Sequence, residues 1–506
     1  MRTHRCWLDL KTGESSPFEQ LSGEMEFGNP FPKWGKMRIK EWHAGAALLA
    51  AALVAEPVIL SAESLPDTLA AAYENSALLE SSRALLRSQD ESVAQAVAAL
   101  RPHWTGTAGL SGSVRRAPAQ GMNAVGRSTS SALSGTLQLS MELLIYDGGD
   151  SELAVESARE GVLAARQSLV TAEQSVLLAA ARAFHDVLRQ RELLALEKNG
   201  LRLIEAQLMA EKNRFELGEV TRTDVSLVEA GLAAAQSRVF LREGELEIAR
   251  QSYKLATGNL PGQLQATPPT PDIPRTLEEA QQIALRTHPA IKSAQHTVAA
   301  ARVNVKRTET SNAPRISFGG SVATDRNIKN WNGSTDAATL SITARMPFNQ
   351  GGRLHSLFRQ AIANAERASL DLEQTARSVS QAVAIAWARL EIAKASIMAR
   401  EQQVAAARLA HLGIREEAAL GVRTTLDRLD AEQQLREAET NLVTGKNDRD
   451  MAVYTLLEST GLMTIKHLGL KIPVYDPEVN FDKVQHAPAV QNRREQLERI
   501  LQRTGG

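Results

Sequence analysis

Two short stretches of this sequence hold the residues best placed to do chemistry, and in both the reactive types are acids and hydroxyls. Residues 217–224 read Leu-Gly-Glu-Val-Thr-Arg-Thr-Asp, and residues 420–430 read Leu-Gly-Val-Arg-Thr-Thr-Leu-Asp-Arg-Leu-Asp. Thr221 to Asp224 and Thr424 to Asp427 have capping-box spacing, a threonine that opens a helix and an acid three residues on that answers its backbone N–H. Asp430 has no such explanation. It lies one turn beyond Asp427 on the same helix face, and its counterpart in the first stretch is Leu227. The second stretch alone therefore stacks two carboxylates. A threefold assembly would turn them into two rings that raise the local negative potential and hold cations. No nucleophile motif, phosphate-binding loop, dinucleotide fingerprint or paired-histidine metal motif occurs, and the ten histidines are scattered. No enzyme, cofactor or metal is expected.

The elements that position these turns are long helices. From Gly148 to Gly218 the chain is free of proline, and the segment recurs from Gly351 to Gly421 with one offset of 203 residues and no gap. The apolar seam through Val155, Val162, Leu169 and Val176 maps onto Phe358, Ala365, Leu372 and Val379. Alanine recurs between them, so partner helices can approach closely. Seventy residues of helix span about 105 Å, and a seven-residue repeat of that length must be covered by other helices in coiled-coil fashion. Each segment ends at a glycine suited to a left-handed cap, Gly218 or Gly421, and returns as a second helix over residues 223–257 or 425–459. A helix over 65–100 precedes the first long segment and one over 277–312 the second, each ended by a proline, Pro102 or Pro314.

Between proline and glycine each repeat reads as a β-hairpin, at about 104–143 and 315–346. Trp104, Ala108, Leu110 and Val114 alternate with Thr105, Thr107, Ser111 and Ser113, and the other three strands alternate likewise. Strands near ten residues with one apolar and one Ser/Thr face suit a transmembrane barrel with a wet lumen, completed by other chains. The alternative is a soluble sandwich. The first hairpin segment is nine residues longer, 46 against 37 residues from proline to glycine, and the insertion is expected at an exposed loop tip.

Basic and acidic residues balance at 58 each, so nothing points to nucleic acid. Residues 1–36 look like an upstream misread start or an unusual leader. Residues 37–62 read as a signal peptide, with Arg38 and Lys40 ahead of an apolar run over 44–55 and cleavage after Ala55 or near Ala62. The alternative is that this run belongs to a buried helix. Cys6 is the single cysteine, so the exported chain would hold no disulfide and no lipid-anchor cysteine. The remaining divisions are a first repeat over 63–275, a second over 276–459 and a partly disordered tail over 460–506.

The duplication and both turns resemble the TolC family of outer-membrane channel proteins over residues 64–459. The carrying residues are Asp147, Gly148 and Gly149, Gln350, Gly351 and Gly352, Gly218 with Thr223 and Asp224, and the run from Gly421 to Asp430. The segment from Tyr253 to Gly258 and the missing anchor cysteine are more similar to the secretion-type branch than to the lipidated drug-efflux branch. The resemblance implies a mainly α fold with a small β part: a homotrimer with an α-barrel of long coiled-coil helices and a twelve-stranded β-barrel in outer-membrane lipid. It implies a passive exit duct reaching into the periplasm, opened by an inner-membrane transporter and a periplasmic adaptor, for type I secretion, multidrug efflux or both. Asp427 and Asp430 would ring the periplasmic entrance, and Thr223, Asp224 and Arg423 match positions whose polar links hold it closed. Ala418 departs from the pattern, standing where some relatives place a tyrosine. The rival class is an exported coiled-coil rod or adhesin, which has no need of amphipathic hairpins.

Overall fold

The computed structural model of the chain describes residues 63–118, 127–265, 271–328 and 333–485. Elements α1 (Leu65–Asn75), α2 (Ala77–Ala98), β1 (His103–Pro118), β2 (Arg127–Tyr146), α3 (Asp150–Glu216) and α4 (Arg222–Thr257) form the first repeat. Elements α5 (Leu277–Thr287), α6 (Pro289–Thr310), β3 (Arg315–Asn327), β4 (Ser334–Arg345), α7 (Arg353–Ala419) and α8 (Thr425–Ser459) form the second, and α9 (Glu478–Gln485) follows. Helices α3 and α7 each run 67 residues. The expected signal segment lies outside the described residues.

The single helices expected over 65–100 and 277–312 are each broken in two. Ser76 is extended and its hydroxyl accepts from the Leu79 N–H, ending α1 and capping α2. His288 is extended because Pro289 follows it, and Pro289 opens α6. The seam of α3 packs as expected: Val155 and Val162 close a core with Leu86 and Val93 of α2. At the waist, Leu177, Ala180 and Phe184 of α3 meet Leu69 and Tyr73 of α1, Tyr253 of α4 and Tyr454 and Leu457 of α8. Met463 and Ile465 join this core from beyond α8. The chain then passes α1, where the Tyr475 N–H donates to Tyr73 Oη at 3.3 Å, and α2, where Asn480 donates to the buried Asp90 at 2.7 Å.

The four strands form one antiparallel sheet in the order β1-β2-β3-β4, so the two repeats meet at β2–β3. Register puts Trp104 opposite Met141, Leu139 opposite Val322 and Phe318 opposite Ile342, which gathers the apolar positions on one face. That face is uncovered: Leu110, Val322, Leu340 and Ile342 are all exposed. At 16, 20, 13 and 12 residues, the strands exceed the expected ten. The extra residues of the first hairpin correct the loop-tip expectation, because most of them lengthen β1 and β2, where residues 115–118 and 127–132 pair across the hairpin without apolar alternation. The residues between the strands, 119–126 and 329–332, lie outside the described set. No described helix is long and apolar enough to cross a membrane.

Candidate functional site

Both helical hairpins turn in the same way. Gly218 and Gly421 sit at φ +79° and +77°, the left-handed region that only glycine enters without strain. Glu219 N–H donates back to Arg214 O at 2.9 Å and Val422 N–H to Glu417 O at 3.0 Å, the long bond of a Schellman motif. Three residues later the return helices begin with complete capping boxes. Thr221 N–H and Oγ1 donate to Asp224 Oδ2 at 2.9 and 2.7 Å. Thr424 N–H and Oγ1 donate to Asp427 Oδ2 at 3.0 and 2.8 Å. Bonds from the Thr424 backbone and hydroxyl hold Asp427 below the ordinary carboxylate value of 3.8, and those from the Thr221 hydroxyl and backbone do the same for Asp224.

The structure thus brings the expected residues to two adjacent turns but gives them different tasks. Asp224 and Asp427 are caps. Arg423 donates to Glu417 of its own turn at 2.8 Å. Thr223 and Asp430 are exposed and make no hydrogen bond or ion pair among the described residues. None of the five links one turn to the other within the chain. Ala418 is buried, and its methyl offers no donor.

The link is made by residues that sequence reasoning passed over. On an α-helix, Arg428 and Leu429 point away from the face shared by Asp427 and Asp430. Leu429 packs against the core of Ile204, Val228 and Ala235 between α3 and α4. Arg428 donates to Glu211 of α3, whose side chain is 1% exposed. The Gln207 amide, with its oxygen turned to Arg428, accepts from Nη2 at 2.7 Å and Nε at 3.0 Å. Arg214 flanks Glu211 at 3.6 Å and also holds Glu219 at 3.2 Å, so the network reaches from α8 into the first turn. A second charged patch lies above it. Arg238 pairs with the buried Glu197 at 3.3 Å, and the Arg436 side chain lies against Gly200, where an added Cβ would approach it to 3.2 Å. Burial pushes the Glu432 carboxyl up, against the pull of Arg436, His411, Arg428 and Arg238. The available sequence signal was the pairing of Arg428 and Leu429 on one helix face.

The split between cap and free carboxylate predicts a stability difference. Asp427→Asn melts below the parent, and Asp430→Asn melts with it. A depressed folded pKa means the Asp427 contribution is fully present above the ordinary value of 3.8 and fades as pH falls through the lower folded value. The gap between parent and Asp427→Asn therefore closes only in that acid range. Equal losses for both variants at neutral pH contradict the assignment.

Residues 68–259 and 280–462 match the family described as "Outer membrane efflux protein". The chain is similar to the outer membrane efflux protein BepC of Brucella suis, 33% identical over 447 residues that cover 88% of this chain and 95% of that protein. It is 26% identical to the outer membrane protein TolC of Vibrio cholerae, over 81% of this chain and 94% of that one. Among solved structures, the Campylobacter jejuni CmeC outer membrane channel shares the fold at a TM-score of 0.68 and 15% identity, covering 83% of this chain and 89% of its own.

Proposed function

The chain belongs to the outer membrane efflux protein family, and from that premise we propose that it is a passive trimeric exit duct for type I secretion, efflux of small toxic molecules, or both. The observation that carries the reading is the sheet. Four strands with two open edges and a bare apolar face are too few to close a barrel; three copies supply twelve. The helices carry the same message, since Ile392, Met398 and Leu409 of α7 and Phe240 and Ile248 of α4 are exposed and a neighbouring chain would cover them. In this reading the strands sit in outer-membrane lipid and the turns lie at the periplasmic end. A periplasmic adaptor and an inner-membrane transporter engage that end, and no cofactor or nucleic acid takes part.

At the entrance, Asp427 and Asp430 of three chains form two acidic rings. Arg423, Thr223 and Asp224 act around them between neighbouring chains, while the Arg428–Glu211 network holds the two hairpins of one chain together. Light scattering of the detergent-solubilised protein tests the assembly and should give three chains per particle. A monodisperse monomer, or recovery from the soluble fraction, overturns the reading.

A further inference from the structure

The end of the sheet opposite the 119–126 and 329–332 connections carries an arrangement that neither the turns nor the barrel requires. On β3 and β4, Arg315 and Arg345 are direct partners in the register, and both stand on the polar face. Like charges directly opposite across two strands destabilise a sheet unless something compensates them. Arg315 is compensated from the side, with Asp147 at 3.9 Å and Asp150 at 3.7 Å. Burial alone would push Asp147 up, but bonds from the Ser151 hydroxyl and N–H and the Gly149 N–H, with the Arg315 charge, hold it below its ordinary value. It therefore meets Arg315 as an anion.

Arg345 has no acceptor among the described residues. It borders a hollow of about 420 Å³ on the polar face, lined also by Arg315, Ser317, Thr343 and His103. The hollow has one carboxylate, Glu142, which lies two strands away in the row of Ser341, four residues from Arg345 along β4, and pairs with neither arginine. A guanidinium fork with no protein acceptor among the described residues, beside a second guanidinium and two hydroxyls, is a receptor for an oxyanion, which it can grip through two parallel N–H bonds.

We propose that Arg345, with Arg315 and the hydroxyls of Ser317 and Thr343, forms an oxyanion-binding belt in the lumen at the foot of the barrel. It takes a carboxylate or phosphate group of a solute in the duct. The proposal rests on the duct reading above, in which three copies bring six guanidiniums into one ring. The three Arg345 charges, uncompensated where those of Arg315 meet Asp147 and Asp150, then complement the acidic mouth at the other end, so a passing anion is held after the mouth, not at it.

The test uses single channels in planar bilayers, with Asp427→Ala/Asp430→Ala as the parent so that the mouth does not dominate. Inorganic phosphate added on the barrel side, at constant ionic strength against chloride, should reduce the current. Arg345→Ala should raise the half-blocking phosphate concentration about tenfold, the loss of one charge-assisted contact. Arg345→Lys should fall between, keeping charge without the fork. Arg345 is exposed, so all variants should remain trimers, and light scattering checks that. Channels that phosphate does not block, or block that is unchanged in Arg345→Ala, overturn the belt and leave the duct standing. Altered binding to phospholipid vesicles without altered block assigns Arg345 to lipid and overturns the belt as well. Absence of channels in every variant, native included, overturns the duct and the belt together.

Discussion

Arg428→Ala should loosen the hold of α8 on α3 and, on the duct reading, raise the conductance of the assembled channel. The substitution strands the Glu211 carboxylate, 1% exposed, with Arg214 at 3.6 Å as its one remaining cation among the described residues. Removing one member of a buried ion pair costs about 3 kcal/mol, taken at the low end of the range because Arg428 itself is 20% exposed. Hydrogen exchange reads that loss locally: protection of the amides in the first turns of α8 should fall by about two powers of ten. Glu211→Gln should lose less, because it leaves Arg428 a neutral acceptor and Gln207 in place. Current through Arg428→Ala channels should exceed native current in the same membrane. Unchanged exchange and unchanged current would mean that Leu429 and its apolar pocket hold the hairpins together without help from the ion pair.

The second large effect is expected at the mouth. Asp427→Ala/Asp430→Ala removes six carboxylates from a trimer in which residues three apart share one helix face. Native channels should be cation-selective and blocked by multivalent cations added from the turn side. The double variant should lose that block and much of the selectivity while remaining trimeric. Asp430→Ala alone should account for most of the loss of block, since Asp427 spends one carboxylate oxygen on Thr424 and Asp430 makes no bond among the described residues. Native block in the double variant would place the narrow point elsewhere along the duct.

Most of the architecture could be read from periodicity because it repeats. An unbroken seam over seventy residues permits one structure, and period-two alternation between a proline and a glycine permits few. The breaks at Ser76 and His288 were harder, since each interrupts a run whose apolar pattern continues on both sides. Pro289 was the visible signal in the second run, but sequence reasoning passed over it and so did not carry the break back through the repeat to Ser76. The strand lengths were underestimated because Ser128, Ser130 and Ser131 resemble a loop in composition while lying in β2. The segment after Gly461 has no periodicity and still buries Met463 and Ile465, since single anchors fill gaps left by α1 and α3.

At the site, spacing alone identified both capping boxes, and it separated Asp430 from Asp427. Thr223 entered by resemblance, and within the chain the bond belongs to Thr221. The Arg428–Glu211 link was invisible for a physical reason. Its members lie 217 residues apart, and each sits on a helix rich in charge, where an acid or base reads as solvated. Burial, which makes the pair consequential, depends on how α8 docks against α3, and that depends on packing outside either turn.

The claim that three chains converge at the turns is tested most directly by one engineered thiol. In a Cys6→Ser background, Asp430→Cys leaves a single thiol per chain, and mild oxidation of intact membranes followed by a non-reducing gel reads its neighbours. The trimeric mouth predicts disulfide-linked pairs of chains from Asp430→Cys and none from Glu243→Cys, which lies on α4 away from the turns. Chains that remain unlinked in Asp430→Cys, or link equally well through Glu243→Cys, would contradict it.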